Sequence, residues 1–132
     1  MIIHLVRHGE TAYNRDGLGL GRFDVPLTDL GERQAAAVGR RFLDVPLDAI
    51  FTSPLVRALS VARAIAGERP VAVQPRDELI EMDVGQTEGL TFAAMRECYP
   101  DFLKGWAGPD GHALPCRAGR ASWMSTCGWP PS

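Results

Sequence analysis

The chain has 132 residues, 45% of them hydrophobic, and a formal net charge of −2. That leaves room for one domain with a modest core and excludes the strong basic field that nucleic acid or an anionic membrane surface calls for. No stretch reaches the roughly 18 uninterrupted apolar residues of a membrane span, and no basic region precedes the first apolar run, so a cytosolic protein is expected. The three cysteines, Cys98, Cys116 and Cys127, are odd in number and too far apart for a CxxC motif. They predict reduced thiols, with neither a disulfide framework nor a thiolate zinc site.

In chain order, Ile2, Ile3, His4, Leu5 and Val6 are apolar on both faces, the pattern of a strand covered on both sides in a parallel sheet. His4, in mid-strand, is expected to be a satisfied core histidine. A glycine-rich loop with Gly17, Gly19 and Gly21 follows. Thr28 is then a good N-cap for a helix whose Ala35, Val38 and Phe42 form one buried stripe. Ala49, Ile50, Phe51 and Thr52 predict a second strand. Ser53-Pro54 predicts an N-cap with proline at the first helical position, and Leu55, Leu59, Ala62 and Ile65 continue at helical spacing as far as Gly67. Val71, Ala72 and Val73 predict a short third strand. Residues 78–89 form an acidic, irregular loop, and a helix is expected from Thr91 to about Tyr99. Strands alternating with helices imply an α/β domain, largely parallel, with active groups at the carboxyl ends of the strands.

The composition then changes. Between Gly105 and Ser132 lie all three tryptophans and four of the ten prolines, and no acidic residue follows Asp110. No helical or strand period is visible there. His112, in a stretch rich in glycine and proline, is expected to be solvated.

Where the first apolar run ends, the chain reads Arg7-His8-Gly9. An imidazole can attack phosphorus and carry the phosphoryl group covalently, provided that neighbouring cations neutralise the non-bridging oxygens and an acid protonates the leaving oxygen. Candidates for those parts are Asn14 after the loop, Arg57 in the first turn after Ser53-Pro54, and Glu81 ahead of Gly85. Glu78, Asp83 and Glu88 are expected to be solvated loop carboxylates.

This combination, in this order, resembles the histidine phosphatase superfamily, phosphoglycerate mutase-like branch, over residues 1–115. The resemblance implies a three-layer α/β/α fold with a mostly parallel sheet, incomplete at its C-terminus. It makes His8 the residue that is phosphorylated and Arg7 and Arg57 the holders of the phosphoryl oxygens. Asn14 and the backbone near Gly21 would help to place the substrate, and Glu81 would be the general acid. Two guanidinium groups give a dianion several fixed donors and cannot lose their charge, so the resemblance implies no metal and no cofactor. The partner it implies is a small phosphate ester. Phosphoglycerate mutases of the family follow the glutamate with Arg-His-Tyr, whereas Met82-Asp83-Val84 and then Gly85-Gln86-Thr87-Glu88-Gly89 stand here, similar to the phosphatase subgroup. Hydrolysis is therefore expected, with a mutase as an alternative. Residues 21–28, GRFDVPLT, are also similar to α-ribazole phosphatases.

The family pattern also calls for a second histidine, in a His-Gly step after a later interior strand, and this chain contains none. Residues 116–132 read CRAGRASWMSTCGWPPS. Read two bases further on with a permitted choice of codons, the same stretch gives VPGGESVLDVYVRVAAQ, which contains the family's Gly-Gly-Glu-Ser. The expectation is a domain portion over residues 1–115, a frame shift near residues 114–116, and impaired activity. An inactive remnant or a phosphate-ester-binding module is the alternative. The oligomeric state stays open, since a partner chain's edge could replace the missing strand.

Overall fold

A computed structural model describes residues 1–106, without the side chains of residues 102, 105 and 106. His112, Cys116, Cys127 and the whole atypical tail lie outside the described residues. The order is α1 (Ala12–Arg15), α2 (Asp29–Arg41), β1 (Ile50–Thr52), α3 (Val56–Ala66), β2 (Val73–Pro75), α4 (Phe92–Cys98) and α5 (Pro100–Trp106). Single 3₁₀ turns at Asp77–Leu79 and Gly85–Thr87 interrupt the acidic loop. The strands β1 and β2 pair in parallel, Ile50 opposite Val73 and Thr52 opposite Pro75, across the α3 crossover.

Local signals account for most of the helices. The Thr28 side chain accepts from Gly31 N and caps α2, as the sequence predicts, and Thr91 does the same for α4 through Ala94 N. At α3 the outcome differs. Leu55 occupies the N-cap without a side-chain bond, and Ser53 Oγ accepts only from Leu55 N at 3.3 Å. The cap comes from far away in sequence: Asp24 Oδ1 accepts from Val56 N at 2.7 Å.

The core gathers between α2, α3 and the two strands. Ala35, Ile50, Val61, Ala62, Ile65 and Ala66 are buried, with Leu27, Val38, Phe42, Leu47, Val71 and Val73 packed around them. Gly39 lets α2 approach α3 closely, because a Cβ there would overlap the Ala64 carbonyl oxygen. One cation completes both helix ends: Arg69 donates to Phe42 O at 2.8 Å, Val45 O at 3.0 Å and Ala66 O at 3.3 Å, and also to Ile65 O.

Two expectations are corrected. Residues 2–6 belong to no strand among the described residues, and Ile2, Ile3 and Leu5 are 83%, 70% and 94% exposed. Strand propensity alone makes no ladder, because the hydrogen bonds come from a neighbour, and no described strand pairs with this segment. His4 is therefore exposed, its ring meeting Phe42 edge-on at 5.3 Å, and it is not a core histidine.

Candidate active site

The chain that follows His8 is pinned to the start of α2. Thr28 N donates to Glu10 O at 2.9 Å, Thr28 Oγ1 to Glu10 Oε1 at 2.8 Å, and Glu10 N to Gln34 Oε1 at 2.8 Å. Thr11, fully buried, forms an antiparallel bridge with Leu27. The two backbones touch: a Cβ on Gly9 would lie 2.5 Å from Gly31 O, and one on Gly31 would overlap Glu10 O. Glycine at both positions lets the Arg7-His8-Gly9 step lie against the first turn of the helix.

His8 Nδ1 lies 2.7 Å from Gly9 O. A carbonyl oxygen can only accept, so Nδ1 carries the proton and Nε2 of the neutral ring holds the free lone pair. Partial burial is the main cause that lowers the His8 pKa, and the positive charges of Arg57 and Arg7 lower it further; the Gly9 bond and Glu81 act in the opposite sense.

The structure brings Arg7, Arg57 and Glu81 into the electrostatic environment of His8. Arg7 is exposed, whereas Arg57, on the first turn of α3, is only 2% exposed. Arg57 Nη2 donates to Gly21 O at 2.7 Å and Nη1 to Phe23 O at 2.8 Å. A guanidinium has five N–H donors, so three remain. Burial lowers the Arg57 pKa, and Glu81, Asp24 and Glu88 raise it.

Gly21 is buried against the acidic loop, where a Cβ would stand 2.7 Å from Val84 Cγ2 and 2.9 Å from Met82 O. Arg22 Nε donates to Glu81 O at 3.2 Å. Glu81 is exposed, with Oε1 accepting from Met82 N at 2.9 Å. Asn14 is held differently: its Oδ1 accepts from Thr11 N at 3.1 Å and from Thr11 Oγ1 at 2.9 Å. The amide NH₂ of Asn14 is thus the group left to donate, and among the described residues its side chain bonds only to Thr11.

Two residues of the assembly escape the sequence reading. Glu88, expected to be solvated, is 5% exposed, and its Oε1 accepts from both Gly21 N and Phe23 N at 2.7 Å. Asp24 caps α3, the helix that carries Arg57. Both lie in stretches the family resemblance singles out, GRFDVPLT and GQTEG, which is the signal that could have found them. Among the described residues no His, Cys, Asp and Glu side chains cluster as metal ligands, and no helix is long and apolar enough to cross a membrane.

The chain belongs to the histidine phosphatase superfamily (branch 1), whose family model matches residues 3–123. It is similar to phosphoserine phosphatase 1 of Hydrogenobacter thermophilus, 33% identical over 77% of this chain and 48% of the relative. Among solved structures, the α-ribazole phosphatase of Shigella flexneri superposes with a TM-score of 0.73 at 34% identity, over 83% of this chain and 55% of that one. The Entamoeba histolytica phosphoserine phosphatase in complex with 3-phosphoglyceric acid superposes with a TM-score of 0.66 at 37% identity, over 79% and 51%. The fold is thus the phosphoglycerate mutase-like α/β fold, and the chain spans about half the length of these relatives.

Proposed function

We propose that residues 1–115 are the N-terminal part of a cytosolic phosphomonoester hydrolase that works through a phosphohistidine. The observation that carries this reading is the His8 Nδ1 to Gly9 O bond, which leaves Nε2 free for attack. In the first step Nε2 attacks phosphorus, the bond from phosphorus to the leaving oxygen breaks, and protonated Glu81 gives that oxygen its proton. In the second, water attacks the phosphohistidine, Glu81 takes the water proton, and the nitrogen–phosphorus bond breaks to release phosphate. Arg7 and the three remaining donors of Arg57 neutralise the non-bridging oxygens. The Asn14 amide and the backbone at Gly21 place the ester. Small phosphate monoesters, the class named by the phosphoserine and α-ribazole relatives, are the substrates.

The test is phosphate release from p-nitrophenyl phosphate, with alkaline trapping of labelled phosphohistidine. His8→Ala should abolish both, and a wild-type protein from an intact gene that never labels His8 would sink the reading.

A second reading concerns the chain as written: it binds phosphate esters and turns them over poorly. It is favoured by residues 2–6 immediately ahead of His8, which are exposed and in no strand among the described residues, and by the lack of a second histidine in a His-Gly step. The loss of one donor to the reacting group lowers rates by about 10² to 10³ in comparable sites. A kcat close to that of a full-length relative would refute it, and resequencing the DNA around residues 114–116 tests the frame shift behind it.

A further inference from the structure

We propose that Glu88 is a positioning residue for Arg57: it holds the backbone of residues 21–23 in the arrangement that aims the guanidinium at a phosphoryl group on His8. The inference rests on the phosphoryl-transfer reading above and adds a residue to it.

The loop is gripped from two sides. Gly21 and Phe23 give their N–H groups to Glu88 Oε1, both at 2.7 Å, and their carbonyl oxygens to Arg57, at 2.7 and 2.8 Å. Each of the two residues thus satisfies its donor on a carboxylate and its acceptor on a guanidinium. Both side chains are nearly inaccessible, at 5% and 2% exposure. A carboxylate at that depth is tolerated because charge-assisted hydrogen bonds and a nearby cation offset its lost hydration. Glu88 also acts on Arg57 through charge, raising its pKa.

The position of Glu88 is itself fixed by the fold. Gly19 N donates to Leu90 O and Gly89 N to Gly19 O, each at 2.8 Å, and Leu18 bridges to Thr91. Gly89, with φ of +79°, turns the chain immediately after the glutamate, a conformation that a residue with a Cβ rarely adopts. Without Glu88, the buried N–H of Gly21 and the part-buried N–H of Phe23 lose their acceptor, the loop relaxes, and Arg57 loses the pair of carbonyls that orient it.

The experiment uses the full chain, isotopically labelled, as wild type, Glu88→Ala, Glu88→Gln and Ile50→Val. Two quantities are read: the Arg57 guanidinium N–H signal, assigned by its loss in Arg57→Ala, and the Kd for inorganic phosphate. Glu88→Ala should move the Arg57 signal to the exposed-arginine position and raise the Kd about tenfold or more. Glu88→Gln, whose amide oxygen still accepts from both N–H groups, should stay within about threefold of wild type. Ile50→Val should lower the melting temperature and move neither readout, which separates positioning from general stability. If Glu88→Ala does not fold, Glu88→Asp carries the test, because an oxygen withdrawn by one methylene must weaken binding where Gln does not. An unmoved Arg57 signal with unchanged phosphate affinity in the folded Ala or Asp variant overturns the proposal. A wild type that binds no phosphate overturns the functional reading instead, and the Arg57 signal still decides the role of Glu88.

Discussion

Arg57 is joined to Gly21 by a 2.7 Å hydrogen bond from Nη2 to the carbonyl oxygen, although 36 positions separate them in the chain. The bond couples the first turn of α3 to the loop that Glu88 holds from the other side. It makes the guanidinium part of the scaffold as well as a candidate phosphate ligand.

Arg57→Lys is therefore expected to be harmful in two measurable ways. An ammonium on a flexible stem is a point charge and cannot reproduce the planar fork that meets both carbonyls. Phosphate release, measured in a protein from an intact gene, should fall about 10²-fold or more. The melting temperature should fall as well, because Gly21 O or Phe23 O is left unpaired.

The titration of the His8 ring, followed by NMR, should fall below the ordinary imidazole value of about 6.5. Its first cause is burial, with Arg57 and Arg7 adding to it. Arg7→Ala should bring the midpoint part of the way back up, and no movement would remove Arg7 from the site's electrostatics.

The same shift has a consequence for stability. The native state holds fewer protons on His8 than the unfolded chain does, so its contribution is complete above the unfolded value and is lost as pH falls through the lowered one. On acidification from pH about 8 to about 5, wild type should lose stability relative to His8→Ala in denaturant titrations. An unchanged difference between the two across that range would argue against the shift.

Gly31→Ala tests the close approach of the His8 loop to α2. Alanine in a helix ordinarily adds about 1 kcal/mol over glycine, but here the new Cβ would overlap Glu10 O. Overpacking against backbone costs about 1 to 3 kcal/mol, so the variant should be less stable than wild type. A stabilised Gly31→Ala would show that the loop can move away.

Polar substitutions at residues 2–6 should cost little. Leu5→Lys replaces a side chain that is 94% exposed, and surface changes of this kind stay within about 0.5 kcal/mol. Solubility should rise, since an unpaired apolar edge invites association. A strong loss of stability would mean that this segment is packed in solution.

Part of this organisation was legible in the sequence because its causes are local. Thr28 and Thr91 cap helices three residues away, Ala35, Val38 and Phe42 share one helical face, and the parallel pairing of β1 with β2 follows from a strand, a helix and a strand in succession. The Arg7-His8-Gly9 step, Arg57 and Glu81 could be chosen as site residues because their side chains are matched to phosphoryl chemistry, whatever surrounds them. Only the tertiary structure decided the rest. Glu88 and Asp83 are both acidic residues of one loop, yet Glu88 is buried on two backbone N–H groups and Asp83 is exposed. Asp24 caps a helix 32 positions away, and residues 2–6, for all their strand propensity, stand without a ladder among the described residues. Caps and helical periods are written within a few residues of chain, whereas the burial of a carboxylate and the pairing of a strand depend on what distant segments bring alongside.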